Sequence, residues 1–501
     1  MRIADIVSKT KAPKKQTSHW FILILLALAQ FMVVLDISIV NVALPTIQKA
    51  FSLNTADLQW IISAYTLAFG GFLLLGGRTS DYFGRRLAFL SGIAVFTIAS
   101  LGTGLSQNGT MLIIFRALQG LAAAFMSPAA LSIILVTYKE GHERNTALSV
   151  WGAVASGGAA VGVLLGGIIT QYLSWRWNFF INLPVGIFVI VASLKVLHHH
   201  KTDTERVSMD IPGAASVTGG LMALVYAITE APTYGWGSTR ILATLLVGLA
   251  LVAFFVFNEK RAKHPLMPLS IFKIRNIAGA NSLMLLMAAG LFSVFFFTTL
   301  YLQNVLHYTP IRTGLDFLVM PFVIGAVATN VPRLVKRIGY KPILVVAPLF
   351  VSAGLFYISH IPVMGTFWGN VAPGLILMGA GMGGLFVSVT IAATSGVPHD
   401  KAGLASGLLT TSQQIGGALG LALLAGALAT TSKNYLHSLH LHAQPSATNI
   451  ATASVHGFHN GYLLGAGFAL LASFLAIFVI RINKAASDPS HPELTSTAAS
   501  V

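Results

Sequence analysis

Three ionisable residues stand where an apolar chain rarely puts them. Asp36 lies near the middle of the apolar stretch 20–44, Arg116 inside the stretch 111–136, and Asp316 at the start of the stretch 314–331. An ionised carboxylate at the centre of a bilayer costs at least about 2.5 kcal/mol, so Asp36 must be paired, protonated or wetted. Arg116 is a candidate partner. Desolvation favours the protonated carboxyl and a nearby guanidinium favours the carboxylate. A group balanced between the two can load and release a proton; the alternative is a fixed structural ion pair. Asp316 could attract a cation at a cavity wall. Its alternative is an acid at a helix N-terminus, since Thr313-Gly314-Leu315-Asp316 reads as a helix start. Glu230 reads as an interfacial residue. Asn41 follows Asp36 in the same stretch, and the acid-free stretch 403–430 offers Gln413 and Gln414; these three are candidate substrate contacts.

Other constellations are built from arginine and glycine. Gly77-Arg78-Thr79-Ser80-Asp81-Tyr82-Phe83-Gly84-Arg85-Arg86 places one acid among three arginines. Such a charge network at a helix junction can act as a breakable latch, against the simpler reading of basic anchoring. Gly158, Gly162 and Gly166, with Gly167 beside them, form successive GxxxG steps that permit close helix packing in lipid. Gly379-x-Gly381-x-Gly383-Gly384 mimics a dinucleotide loop but lies inside an apolar run with no strand before it, which points to packing. His198, His199 and His200, and the later group His437, His440, His442, His456 and His459, lack acids or cysteines at ligand spacing, so no metal is expected. Phe179, Phe180, Phe292, Phe295, Phe296 and Phe297 could stack on flat cations or simply pack, and Trp175 and Trp177 fit an interfacial belt.

The elements that must carry these residues follow from composition. Of 501 residues, 55% are apolar and 9% charged, against roughly 25% charged in an ordinary soluble domain. Mean hydropathy is +0.76. These values exclude a soluble globular protein, a disordered chain and a coiled coil. Cysteine is absent, which removes disulfides and thiolate chemistry. The net charge of +16 would suggest nucleic acid in a soluble domain; here it reads as topology.

Fourteen stretches approach the roughly 20 residues needed to cross hydrocarbon. They run over 20–44, 59–77, 87–105, 111–136, 146–171, 179–197, 211–230, 241–257, 277–302, 314–331, 342–360, 367–393, 403–430 and 461–480. Lipid satisfies no backbone donor or acceptor, so each is a helix. Residues 1–19 carry no cleavage pattern of a signal peptide. With the N-terminus inside, 25 of the 31 Lys and Arg fall in cytoplasmic segments and five outside, with Arg116 inside a span. Both termini are therefore expected in the cytoplasm. The loop Arg333-Leu-Val-Lys336-Arg337-Ile-Gly339-Tyr340-Lys341 repeats the loop from Arg78 to Arg86 at an offset of 255 residues. Adding 255 to spans 1, 2, 4 and 5 lands on spans 9, 10, 12 and 13. Two six-span halves separated by spans 7 and 8 are the sequence mark of a transporter with its site between the halves.

At this point the chain resembles the major facilitator superfamily, and within it the fourteen-span drug/proton antiporters, over nearly its whole length. Gly77–Arg86 matches G-x-x-x-D-x-x-G-R-R/K, and Arg116-Ala117-Leu118-Gln119-Gly120 matches R-x-x-Q-G. Leu35-Asp36 through Asn41 to Pro45, and Ser174-Trp175-Arg176-Trp177-Asn178-Phe179-Phe180-Ile181-Asn182-Leu183-Pro184, are typical of the fourteen-span branch. The span 5 pattern G-x-x-x-G-P-x-x-G-G is present except that Val163 stands where Pro is usual.

The resemblance implies an all-α integral membrane protein of the major facilitator fold, with fourteen transmembrane helices as two six-helix bundles plus two additional helices. The expected organisation is a tail (1–19), a first bundle (20–197), two extra helices with linkers (198–276), a second bundle (277–481) with a long outer loop (431–460), and a tail (482–501). The segment 258–276 is expected to lie on the membrane surface. The implied function is export of amphipathic, cationic compounds by proton antiport in the inner membrane. Asp36 and Arg116 would couple the proton, Gly77 to Arg86 would gate the cytoplasmic side, and the glycine face of span 5 would pack on span 10. The alternative is a proton-coupled carrier of one metabolite on the same fold. No H-E-x-x-H occurs, which argues against an intramembrane protease. No cofactor, metal or nucleic acid is implied; the partners are substrate, protons and lipid, with the chain acting as a monomer.

Overall fold

In a computed structural model of the protein, the structure describes residues 19–197, 210–395, 402–440 and 444–480. Every regular element among the described residues is helical. Among the described residues, fourteen helices are long and apolar enough to cross a membrane. Spans 1 to 6 are His19–Phe51, Thr55–Ser80, Arg85–Gly104, Gly109–Thr137, His142–Tyr172 and Trp177–Val196. Spans 7 and 8 are Ile211–Tyr234 and Thr239–Arg261. Spans 9 to 14 are Arg275–Val305, Pro310–Ala328, Tyr340–Ile358, Phe367–Thr394, Gly403–Ser438 and Ala447–Val479. The side on which span 1 begins is called the basic face, and the other the far face.

Local chemistry sets many of the starts. Asn54, Asn108 and Asp210 each accept the backbone N–H three residues on, at 2.8, 2.8 and 2.9 Å, which supplies a partner to an otherwise orphaned donor. Span 10 starts at Pro310 behind the cap Thr309, not at Thr313 as the spacing suggested. Proline at the first helical position needs no N–H there and sets the turn. Asp316 therefore lies nearly two turns inside the helix, beyond the first turn where an acid gains from the dipole. The expected outer loop 431–460 is also corrected. Span 13 continues as helix to Ser438, and span 14 starts at Ala447 behind the cap Ser446. The polar residues there lower hydropathy without breaking a helix, so only the window average ended.

The repeat is visible in the packing. Spans 2 and 4, 3 and 4, 1 and 5, and 3 and 6 pack together in the first half. Their counterparts eight spans later, 10 and 12, 11 and 12, 9 and 13, and 11 and 14, pack together in the second. Gly84 and Gly339, 255 residues apart, both turn the chain at positive φ, +94° and +78°. Residues with a Cβ avoid that region, so the same turn demands glycine in both halves.

Between the halves, span 2 packs on span 13 and span 5 on span 10, a pair of contacts related by the same repeat. Span 7 lies against both span 2 and span 13 and so covers that seam, while span 8 packs on span 7. At the seam, Gln59 of span 2 donates to Thr229 of span 7 at 3.1 Å, beside the half-buried Glu230. On the far face, span 1 and span 9 are joined by two hydrogen bonds. Gln303 donates to the Val42 carbonyl at 2.9 Å, and Asn304 donates to Gln48 at 3.3 Å. Both donors sit on a π-turn, Tyr301–Val305, that ends span 9. Gln171 at the end of span 5 accepts from the Ile311 N–H at 3.1 Å.

Candidate functional site

Asp36 and Arg116 meet. Arg116 Nη1 donates to Asp36 Oδ2, and this is the one buried ion pair among the described residues. Arg116 sits two turns into span 4, with Gln119 three residues on and therefore on the same face. Gln119 Oε1 accepts from Arg116 Nη1 at 3.1 Å and from Thr103 Oγ1 at 3.2 Å. Gln119 Nε2 donates to Asp36 Oδ1 and to Ser100 Oγ, both at 2.9 Å. From span 6, Asn182 Nδ2 reaches the same Asp36 Oδ1 at 3.1 Å and Ser100 Oγ at 3.4 Å. Arg116 Nε donates to the Ile61 carbonyl of span 2 at 3.0 Å. The guanidinium lies 4.4 Å from the Tyr65 ring centre and 6.0 Å from that of Phe179. Five spans of the first bundle thus supply one closed polar cluster, and Asp36, Arg116, Gln119, Ser100, Asn182 and Tyr65 are all buried.

The sequence produces this closeness through a glycine. A Cβ at Gly120 would collide with the Tyr65 carbonyl. The residue after Gln119 therefore lets span 4 approach span 2 until Arg116 can bond its backbone. A buried charged pair needs further hydrogen bonds to offset its desolvation; here Asp36 Oδ1 accepts two amide N–H groups and Arg116 Nε donates to the Ile61 carbonyl.

The other predicted site residues do not join this cluster. Asn41 is buried and donates to its own helix at the Ile37 carbonyl, 2.9 Å away. Gln414 lies at the seam, its Cβ against Gly70 of span 2, and its Oε1 is buried with no hydrogen bond among the described residues. Gln413 is half-buried on the same helix. Asp316 is half-buried on span 10, and its Oδ2 is a buried acceptor without a partner among the described residues.

At the basic end of span 2, Arg78 donates to the carbonyls of His264, at 2.6 Å, and Pro265 in the linker before span 9. Arg86 donates to the Leu194 carbonyl of span 6 at 3.0 Å. Gly77 packs near Pro128 of span 4. Arg85 is half-buried beside Gly84. The side chain of Asp81 lies outside the described residues, as do His198, His199, His200 and His442. The linker itself is tied down by hydrogen bonds and packing. Glu259 accepts from the N–H groups of Leu266 and Met267 at 3.1 and 2.9 Å, and Leu266 packs with Leu75 and Ala214.

Two expectations are corrected. Gly158, Gly162 and Gly166 face span 1, against Val34, Ser38 and Ile39, and not span 10. It is Gly167 that meets span 10, at Pro310, and Gly314 of span 10 meets the Val163 carbonyl. The GxxxG ridge binds two helices of one bundle, while one residue further round the helix serves the junction of the halves. Trp175 is also not an interfacial anchor. It is 5% exposed, packed on Phe51 and Phe179 with Arg176 over its ring, whereas Trp177 is 51% exposed. The phenylalanines form no single stack: Phe179 lines the ion pair, Phe180 sits against Gly104, and Phe292 against Gly417.

Gln119 and Asn182 were visible in the sequence as letters of two motifs without an assigned role. Ser100, Thr103 and Tyr65 gave no signal, because single hydroxyls are common in apolar helices and nothing local says which face they take.

A helical fold of fourteen spans in two repeated halves, with a buried charge inside the first, defines a polytopic membrane transporter and not an enzyme. Residues 26–421 match the Major Facilitator Superfamily, and the chain belongs to it. It is 37% identical to the puromycin resistance protein pur8 of Streptomyces alboniger over 475 residues, covering 94% of this chain and 93% of that one. It is 37% identical to the cephamycin export protein CmcT of Amycolatopsis lactamdurans over 420 residues, covering 83% and 86%. The fold is similar to that of the POT family transporter PepTSo, with a TM-score of 0.67 at 13% identity over 93% of this chain and 98% of that one.

Proposed function

We propose that the protein exports amphipathic, cationic small molecules across the inner membrane by alternating access, driven by proton entry. The observation that carries the reading is the sealed Asp36–Arg116 pair. A fold that needed only rigidity would gain as much from apolar packing there. A titratable pair gains a second state. Moving one charge through 100 mV is worth about 2.3 kcal/mol, enough for one proton to sustain a sizeable gradient. The names of the relatives, a resistance protein and an export protein, support an efflux direction.

The basic face is the cytoplasmic one in this reading, with both termini inside. The far-face hydrogen bonds from Gln303 and Asn304 to span 1 then hold the outer side shut. Asp316, with its unsatisfied oxygen, is the candidate cation contact, and Asn41, Gln413 and Gln414 are candidate polar contacts nearer the seam. Arg78 and its neighbours act at the cytoplasmic junction by holding the linker to the second half. The protein works as a monomer with no cofactor besides the coupling proton.

The test is efflux of ethidium from cells or inverted vesicles, wild type beside Asp36→Asn, with and without an uncoupler. Uncoupler-sensitive efflux that is lost in the variant supports the reading. Full coupled efflux by Asp36→Asn removes the assigned role. Failure of the wild type to move any of several cations favours a dedicated metabolite carrier.

A further inference from the structure

On the far face, the junction of the two halves holds a small cleft of about 230 Å³. Span 1 of the first half supplies Pro45, Thr46 and Lys49. The second half supplies Gln303 of span 9 and the turn His307–Pro310 that leads into span 10. Local chemistry holds this turn in place. The π-turn Tyr301–Val305 ends span 9, and the Tyr308 N–H then closes on the Leu302 carbonyl at 2.8 Å. His307 takes φ +55° there, a region that residues with a Cβ seldom enter. The Tyr308 hydroxyl accepts from the Phe367 N–H at 3.3 Å, which fixes the ring.

The charge around the cleft has one sign. Lys49 has no ion pair among the described residues. Neither has Arg312, whose guanidinium stands 3.6 Å from the centre of the Tyr308 ring. No acid lines the cleft, and Asp316, one turn further along span 10, does not pair with Arg312. A cleft lined by one sign of charge with partly apolar walls concentrates the opposite ion. The apolar part of the wall is made of rings, Pro45, Tyr308 and Pro310. Sites for drug-sized ligands run to about 300–1,000 Å³, so this smaller space suits a single ring with its acid group.

We infer that the cleft binds a small aromatic acid as its anion, from the far side, and that its occupation holds the far face shut. The carboxylate or sulfonate group sits at Lys49 and the ring against Tyr308 and the prolines. One wall belongs to each half, so the site is complete only while the far face is closed, as the bonds from Gln303 and Asn304 to span 1 keep it here. A ligand that binds one state alone shifts the population toward that state. Binding does not depend on the proposed export; the slowing of efflux does.

The test is a melting curve of the purified full chain titrated with sodium benzenesulfonate. Sodium chloride at equal ionic strength is the baseline and benzenesulfonamide the neutral isostere. Benzenesulfonate is expected to raise the melting temperature in a saturable way, and the sulfonamide to leave it in place. Lys49→Gln alters an exposed side chain and should fold as the wild type does. It should need about tenfold more benzenesulfonate for the same shift, because a charge-assisted contact is lost. His307→Asn, which tolerates positive φ, should also weaken binding. In proteoliposomes, benzenesulfonate on the far side should slow ethidium efflux, with the same tenfold loss of potency in Lys49→Gln. No saturable shift, an equal shift with the sulfonamide, or a shift that both variants leave unchanged overturns the site. A Lys49-dependent shift with unslowed efflux overturns the locking role. If the wild type moves no cation at all, the reading as a cation exporter fails instead, and the melting curves still decide the site.

Discussion

Asp36 on span 1 and Arg116 on span 4 stand 80 residues apart in the chain and form an ion pair whose side chains are 0% and 2% exposed. Removing one member of such a pair leaves the other charge without compensation, at a cost of roughly 3–5 kcal/mol. Arg116→Leu is accordingly expected to lower thermal stability in detergent sharply. Adding Asp36→Asn to it should recover part of the loss, because the orphaned charge is then gone. Equal stability of the single and double variants would mean that the carboxyl is already neutral in the resting protein.

The glycine ridge of span 5 yields a graded prediction. A methyl at Gly158 would sit 3.2 Å from Val34 Cγ1, a tight but adjustable contact, whereas a methyl at Gly162 would collide with Ser38 Oγ. Gly162→Ala should therefore destabilise by about 1–3 kcal/mol, the range for overpacking, and Gly158→Ala by less. Gly167→Ala meets the Pro310 carbonyl of the other half at 2.6 Å. Its effect should appear in transport more than in unfolding, since it props the halves apart. Thermal melts set against efflux rates separate the two classes.

Gln48 and Asn304 bridge the far face at 3.3 Å. Because the chain has no cysteine, Gln48→Cys with Asn304→Cys places two thiols there without any background. A short bis-maleimide applied to the far side should link spans 1 and 9 and abolish efflux, while each single variant stays active after the same treatment. Persistent efflux after complete linkage, read by mass spectrometry, would show that these helix ends do not separate during transport.

Arg78 fixes the linker by donating to His264 and Pro265. Hydrogen bonds from a charged group are worth roughly 1.5–3 kcal/mol, so Arg78→Leu should open the linker about tenfold more often. Trypsin cleavage after Lys263 reports this directly. Arg78→Lys, which keeps the charge but loses the two-pronged donor, should protect only in part. Cleavage rates equal to wild type in both variants would assign the holding to Glu259 alone.

Composition and hydropathy determined the class, because backbone groups in lipid have no partner but one another and a 20-residue apolar run can then be only a helix. The repeat was legible because Gly84 and Gly339 each occupy a turn that residues with a Cβ avoid, so the same letter had to recur at the same place. Asp36 and Arg116 stood out because an isolated charge in an apolar run is costly wherever the run folds. What the tertiary structure decided was direction. The ridge Gly158–Gly166 allows a close neighbour but does not name it, and span 1 took that place because the crossing of spans 1 and 5 puts Ser38 there. Trp175 looked like an interfacial residue by type, yet the bend before span 6 turns it onto Phe51. Asn182 became a partner of the Asp36 carboxylate, and Ser100 a partner of the two amides bound to it, only when spans 3 and 6 packed into the first bundle. Side-chain types and their spacing along one helix are local properties. Which face meets which helix is set by how all fourteen pack together.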